Sequence, residues 1–320
     1  MKIGIIGSGA YAIALTSILE NKNLDITMWT KFAKEYEELT TKHTNLTYLD
    51  YKLDNNINFT MDLEKLIKEN NTLILAIPAK FIHETFKDIK TNLTNHKILI
   101  ATKGIENTTY QVISTYLKNN FQVQEIACIS GPTFAKDIIK KEAIGLTLAS
   151  YNEKTINYFQ EILNTNYLTF HTTKDIVGVE LCGVIKNIMA IFSGILEGMK
   201  LTSSTKAKFM VDACLDIQAI IEKLGGQKET FYTYAGLGDL LLTATSTESR
   251  NYTFGLLIGL DKDFKTYSKT TTVEGLESLE AMKKILDKNK IKSNIIDILY
   301  EIVYLSKPKE VILEFLKNSF

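Results

Sequence analysis

Apolar positions in the first half of the chain come in short continuous runs. Lys2–Ile6, Ile26–Trp29, Leu73–Ile77, Ile98–Ala101, Ile126–Ser130 and Ile144–Ala149 are mostly β-branched or otherwise apolar. Runs of this length without polar alternation predict strands buried on both faces, the pattern of a parallel sheet. Between them, Ala12–Asn21, Leu63–Glu69 and Thr109–Asn119 carry apolar residues at helical spacing. The alternation predicts a doubly wound α/β sheet. After about residue 175 the texture changes. Val177–Met199, Lys206–Leu224, Leu276–Asn289, Ser293–Leu305 and Lys309–Leu316 all read as helices, and no strand is expected among them. Two domains are therefore predicted, 1–175 and 176–320, the second all-α. With no Ser/Gly linker between them, the first long helix is expected to form the joint beside a cleft.

The first turn sharpens this picture. Gly7-Ser8-Gly9-Ala10-Tyr11-Ala12 follows the first predicted strand directly and opens an alanine-rich helix. In a G-x-G-x-x-G/A turn, Gly7 allows the tight bend and Gly9 lets backbone approach a pyrophosphate. A small residue at Ala12 lets helix and strand pack closely, and the helix amides then hold the phosphates. The sheet is thus expected to be Rossmann-like and to bind NAD or NADP. The end of the second strand bears on which. Trp29 is followed by Thr30, Lys31, Phe32 and Ala33, with no carboxylate before Glu35. Lys31 could attract a 2′-phosphate or be an ordinary solvated lysine, so both cofactors stay open.

Composition narrows the class. Lys+Arg and Asp+Glu are 37 each among 320 residues, which leaves no basic footprint for nucleic acid. Three scattered cysteines (Cys128, Cys182, Cys214) suit neither a disulfide framework nor a zinc site and point to a reducing compartment. The four histidines, His43, His83, His96 and His171, show no metal-ligand spacing, so no metal is expected. No run of apolar residues is long enough without interruption to predict a transmembrane helix. The glycines in the N-terminal apolar stretch argue for strand and turn rather than a signal peptide. A cytoplasmic chain is expected.

Candidate chemistry sits at strand ends and on the long helix. Lys186 lies in GVELCGVIKNIMAIFSGI, with Cys182, Gly183, Met189 and Ala190 at helical spacing. Burial lowers an ammonium's pKa toward the range of proton transfer at neutral pH. Arg250 is the single arginine among 37 basic residues. A chain that otherwise uses lysine and keeps one arginine points to a need for the planar fork that grips phosphate or carboxylate. Asp239, between Gly236-Leu237-Gly238 and Leu240–Leu242, could pair with Lys186, cap a helix, or do both. Lys103 ends one strand, and Gly131, Thr133 and Ala135 lie in the SGPTFAKD loop after the next. Both strand ends face the predicted cleft.

Taken together, these motifs resemble the bacterial-type NAD(P)-dependent sn-glycerol-3-phosphate dehydrogenase family. GSGAYAIAL, ATKGIE, SGPTFAKD, GVELCGVIKN, GLGDLLLTATSTESRN and TTVEG occur in the family's order along nearly the whole chain. The resemblance implies reversible hydride transfer between NAD(P)H and dihydroxyacetone phosphate, giving sn-glycerol 3-phosphate for phospholipid synthesis. It implies Lys186 as general acid/base, with Lys103 contacting the substrate and Asp239 orienting the reacting groups. Ser249, Arg250 and Asn251 would hold the phosphate, and Gly131 and Thr133 would line the substrate pocket. Ala135, Ala10, Tyr11, Lys31, Lys103, Arg250, Thr272 and Glu274 would touch the cofactor. A homodimer is implied as well. Two departures stand out. Ala12 replaces a glycine, and Tyr252 and Thr253 follow Asn251 where basic residues are common. The second weakens the NADP hint from Lys31.

Two other readings compete. One is a reductase of the 6-phosphogluconate or ketopantoate type, against which SGPTFAKD and GLGD…SRN argue. The other is a non-catalytic dinucleotide sensor, which would need the glycine turn but not Lys186, Lys103, Asp239 and Arg250 together.

Overall fold

The apolar runs of the first half line up as the inner strands of one eight-stranded sheet. A computed structural model describes residues 1–20 and 22–318. The strands are β1 (Lys2–Ile6), β2 (Asp25–Trp29), β3 (Asn58–Thr60), β4 (Thr72–Leu75), β5 (Lys97–Ile100), β6 (Glu125–Ser130), β7 (Ile144–Ser150) and β8 (Leu168–Thr173). Their spatial order is β8-β7-β6-β5-β4-β1-β2-β3. The order reverses at β1, which creates a crevice at the carboxyl ends of β1 and β4, the place where such sheets bind ligands.

The structure corrects the sequence reading at several points. The sheet is not wholly parallel, because β7 runs antiparallel to β6. Two of its strands, β3 and β8, were not expected. Both are edges, and β8 buries little beyond Leu168, so neither has the continuous apolar run that marks an inner strand. The expected Leu73–Ile77 strand stops at Leu75, before the Pro78 turn. The helix expected over Thr109–Asn119 starts only at Ile113. Ahead of it Ile105–Glu106 pairs antiparallel with Gln111–Val112, and the Glu106 carboxylate holds the turn between them by accepting from the amides of Thr108 (2.8 Å) and Thr109 (2.7 Å). The first helix runs Ala10–Leu19, and its expected end at Asn21 lies outside the described residues, as do the last two of the 176–320 span.

The second half is helical as expected. Its axis is the helix Ile176–Gly198, nearly every residue of which is buried. It is long and apolar enough to cross a membrane by length and composition, although Glu180 and Lys186 interrupt its apolar run. Yet 94% of its most apolar window is buried against this chain's own elements, so it is a core helix. Asp175 caps it, accepting from Gly178 N at 2.9 Å, and also holds Thr230 Oγ1 at 2.5 Å. One apolar cluster runs from Ile98 and Ile100 in the sheet, through Val184 and Ile188 of this helix, to Leu279 and Leu299 beyond. The joint between the halves is therefore a shared core.

A backbone-to-backbone crossing sets where the neighbouring helix Arg250–Gly259 lies. A Cβ added at Gly255 would stand 1.9 Å from the Ile191 carbonyl oxygen, and one at Gly194 would stand 2.1 Å from that of Tyr252. Rigid backbone surrounds both positions, so Gly255→Ala must push the helices apart. A loss of at least about 1–3 kcal/mol is expected, the usual cost of overpacking. Urea unfolding measures it, and an unchanged midpoint would contradict the crossing.

Candidate active site

At the carboxyl end of β1 the backbone bends at Gly7 with φ +128°, a conformation that L side chains rarely adopt. A Cβ there would lie 2.4 Å from the Ala76 carbonyl oxygen, so the turn requires glycine twice over. Gly9 differs, since nothing lies within 4 Å of its added Cβ and the backbone is open to approach. Helix Ala10–Leu19 begins there without a side-chain cap and without an acidic residue in its first turn. Its leading amides are free for an anion. Ala12 is fully buried against the sheet. An open glycine, uncapped amides and a small third residue fit a dinucleotide pyrophosphate.

A cluster of charges lies where the sheet meets the long helix. Lys186, 7% exposed, donates to Asp239 Oδ1 and to Thr243 Oγ1 at 2.9 Å. Lys103 donates to the other oxygen, Asp239 Oδ2, at 2.6 Å, and to the Gly131 carbonyl at 3.3 Å. Asp239 is 1% exposed and so serves two ammonium groups out of water. It reaches them from a single π turn, Tyr234–Gly238, that leads into helix Asp239–Thr245. The predicted pairing with Lys186 is present. The alternative cap is not, because Gly238 occupies the cap position and no side-chain cap bond forms.

The two lysines are unequal. Burial pulls the Lys186 ammonium down to about 8; Asp239 offsets part of that, and Lys103 adds to it by repulsion. Burial also opposes charge on Lys103, but Asp239 and the surrounding groups outweigh it and hold its pKa above the usual lysine range. Asp239 stays below the usual carboxylate range, because Lys103 and Lys186 overcome its desolvation. Burial therefore weighs most on the Lys186 ammonium, while the surrounding groups favour charge on Lys103.

Three hydroxyls near the cluster are buried: Ser130 Oγ has no hydrogen-bond partner, and Tyr11 OH and Thr133 Oγ1 have none beyond each other. Burial pushes the Tyr11 phenol up, with Lys103 opposing, so it remains a donor. Unmet polar groups of this kind cost stability unless something fills them. A polar ligand at the strand ends would do so. Ala135, also expected at the site, opens the short helix Ala135–Ile139 just beyond Thr133. A cleft lined by Pro78, Ala79, Lys103, Gly104, Glu274 and Ser278 opens beside these groups.

The remaining predicted residues divide. Glu274 begins helix Glu274–Asn289 and accepts from Asn187 Nδ2 at 3.5 Å, bringing it to the cleft. Ser249 caps helix Arg250–Gly259, accepting from Tyr252 N at 3.2 Å. The Asn251 amide is used at both ends, donating to Asn187 Oδ1 (2.9 Å) and accepting from Gly275 N (2.8 Å). Arg250, Lys31 and Thr272 are exposed, and Arg250 and Lys31 form no ion pair among the described residues. Of the histidines, His96 is buried in the loop before β5 and bonds the Ile67 carbonyl at 3.1 Å, while His171 lies in β8. The cysteines are free.

Thr243 escaped the sequence reading. Its signal was its place four residues after Asp239, on the same helix face. Glu35 was noted only for coming too late after Trp29. Its carboxylate nevertheless lies against the glycine turn, accepting from Ser8 Oγ at 2.5 Å.

Comparison with known proteins bears on what this arrangement is for. A family model described as NAD-dependent glycerol-3-phosphate dehydrogenase N-terminus matches residues 2–156, and one described as the C-terminus of the same enzyme matches 175–314. The NAD(P)+ glycerol-3-phosphate dehydrogenase of Staphylococcus epidermidis is 35% identical over 314 residues, covering 96% of this chain and 95% of the relative. That of Staphylococcus carnosus is 32% identical over 322 residues, covering 98% and 97%. Among solved structures, glycerol-3-phosphate dehydrogenase from Coxiella burnetii superposes with a TM-score of 0.92 at 26% identity, covering 99% of this chain and 98% of that one. A 2-dehydropantoate 2-reductase from Methylococcus capsulatus has a TM-score of 0.57 at 13% identity and covers 100% of this chain and 98% of that one, a likeness of fold alone.

Proposed function

The chain belongs to the NAD-dependent glycerol-3-phosphate dehydrogenase family, and on that premise we propose that it interconverts dihydroxyacetone phosphate and sn-glycerol 3-phosphate with NAD(H) or NADP(H). One observation carries the reading. A buried lysine with its pKa drawn to about 8 shares a carboxylate with a second, firmly protonated lysine, beside three buried hydroxyls that no group outside their own set satisfies. Such a cluster carries one net positive charge and one mobile proton.

The nicotinamide supplies or accepts the hydride when bound. Gly7, Gly9, Ala10, Tyr11 and Ala12 would hold its pyrophosphate side, with Lys31, Lys103, Ala135, Arg250, Thr272 and Glu274 as further contacts. Lys186 Nζ gives its proton to the carbonyl oxygen in reduction and recovers it in oxidation. Lys103 keeps its charge and stabilises negative charge on that oxygen throughout. Asp239 holds both ammonium groups in register, and Thr243 completes the Lys186 shell. Gly131 and Thr133 line the pocket.

The phosphate grip follows from local structure. Ser249 and Asn251 are largely occupied inside the protein, yet they fix the first turn of helix Arg250–Gly259. Its leading amides and the Arg250 guanidinium then present one anion site at a helix N-terminus. Arg250→Lys is expected to raise the KM for dihydroxyacetone phosphate by roughly tenfold, ~1.4 kcal/mol, with kcat little changed. Steady-state kinetics separates the two, and a loss confined to kcat would remove the phosphate role.

In this reading residues 1–175 bind the dinucleotide and 176–320 the substrate, in a cytoplasmic homodimer that supplies glycerol phosphate to phospholipid synthesis. The deciding experiment follows nicotinamide absorbance with dihydroxyacetone phosphate present and absent. Oxidation of NADH or NADPH that depends on this ketone is expected. Cofactor binding without turnover would favour a sensor and withdraw the substrate.

A further inference from the structure

Building on that function, we propose that Glu35 makes the adenosine end of the site selective for NAD(H) over the 2′-phosphorylated cofactor. The residues directly after β2 offer no acid, but the fold brings one from farther along the chain. Glu35 lies in the first turn of helix Ala33–Lys42, and its side chain turns back over the end of β2. Its Oε2 accepts from Ser8 Oγ at 2.5 Å and from Thr30 Oγ1 at 2.8 Å, and its Oε1 from Tyr48 OH at 3.1 Å. Ser8 is the middle residue of the G-x-G turn, and Asn45 Nδ2 holds its carbonyl at 2.9 Å. Thr30 directly follows β2 and is 1% exposed. One carboxylate thus bridges the pyrophosphate turn and the carboxyl end of the neighbouring strand. In this fold the adenosine ribose lies across that interval, and an acid there hydrogen-bonds its 2′-hydroxyl.

The hydrogen-bond count favours a hydroxyl over a phosphate. A carboxylate offers about four acceptor positions, and three are taken. The one left, on Oε1, suits a ribose hydroxyl. A 2′-phosphate would bring nearly two more negative charges against a group held by three donors. The neighbouring cations Lys31 and Lys34 are exposed, so solvent and salt screen them, whereas Glu35 is part-buried and fixed. Repulsion from the fixed charge therefore outweighs attraction to the mobile ones.

Calorimetric titration with ADP-ribose and with 2′-phospho-ADP-ribose tests this without turnover. The wild-type protein is expected to bind ADP-ribose at least about tenfold more tightly, and Glu35→Gln to narrow that ratio by about tenfold, chiefly through tighter binding of the phosphorylated ligand. Equal or reversed wild-type affinities, or an unchanged ratio in a folded Glu35→Gln variant, would overturn the proposal. The wild-type ratio decides by itself should the variant not fold. Selective binding of ADP-ribose by a protein that does not turn over dihydroxyacetone phosphate would remove the substrate reading and leave this one standing. Turnover with NADPH preferred would do the opposite.

Discussion

Lys186→Met is expected to lower kcat by about 10²–10⁴-fold, the usual contribution of a positioned proton donor, while leaving cofactor affinity nearly intact. Methionine keeps the length and apolar stem of the side chain, so the core helix loses its ammonium without gaining a cavity. Asp239 retains Lys103 as a partner, at 2.6 Å, and is not left as an unpaired buried charge. The wild-type pH profile supplies the companion test. Reduction of the ketone needs the protonated amine, so its rate falls as pH rises through about 8. Oxidation of the alcohol needs the neutral amine, so its rate rises through the same range. Lys186→Met should flatten both limbs. A variant that kept kcat within a few-fold, or kept the same limb, would transfer the proton role elsewhere.

Asp239→Asn is the second large effect, and it reaches both chemistry and stability. Two ammonium groups would then face each other in a site where the carboxylate had been 1% exposed. Removing one member of a buried ion pair costs about 3–5 kcal/mol, because the partner charge is left uncompensated. Relief comes most readily by losing the Lys186 proton, whose pKa is already drawn down by burial and by Lys103. The reduction limb should therefore move to lower pH, with little ketone reduction left at neutral pH. Urea unfolding together with the pH dependence of kcat checks the two halves. A purely structural aspartate would shift the unfolding midpoint and leave the pH limb where it was.

Much of this site was legible before folding was considered. Gly7 and Gly9 could be read from their spacing after an apolar strand, because the requirement they meet is local. The lone Arg250 stands out against a lysine background, but the structure leaves it exposed and without an ion pair among the described residues. Lys186 drew attention because a charge at helical spacing among Cys182, Gly183 and Met189 needs a reason. The edge strands β3 and β8 were not legible. An edge buries one face and pairs on one side, so its sequence reads much like a loop.

The sequence by itself determined which groups could react and which backbone positions must be glycine, since both depend on residue type and on neighbours within a turn or two. Tertiary structure alone decided the partnerships. It joined Lys186 to Asp239 across 53 positions and Lys103 to the same carboxylate across 136, and so set two lysines against one buried carboxylate. It also brought Glu35 back 27 positions onto Ser8, supplying the acid that the end of β2 lacks. Periodicity reports whether a side chain is buried. It carries no information about which distant charge shares that burial, and the pKa of a buried group depends on that neighbour as well as on the burial itself.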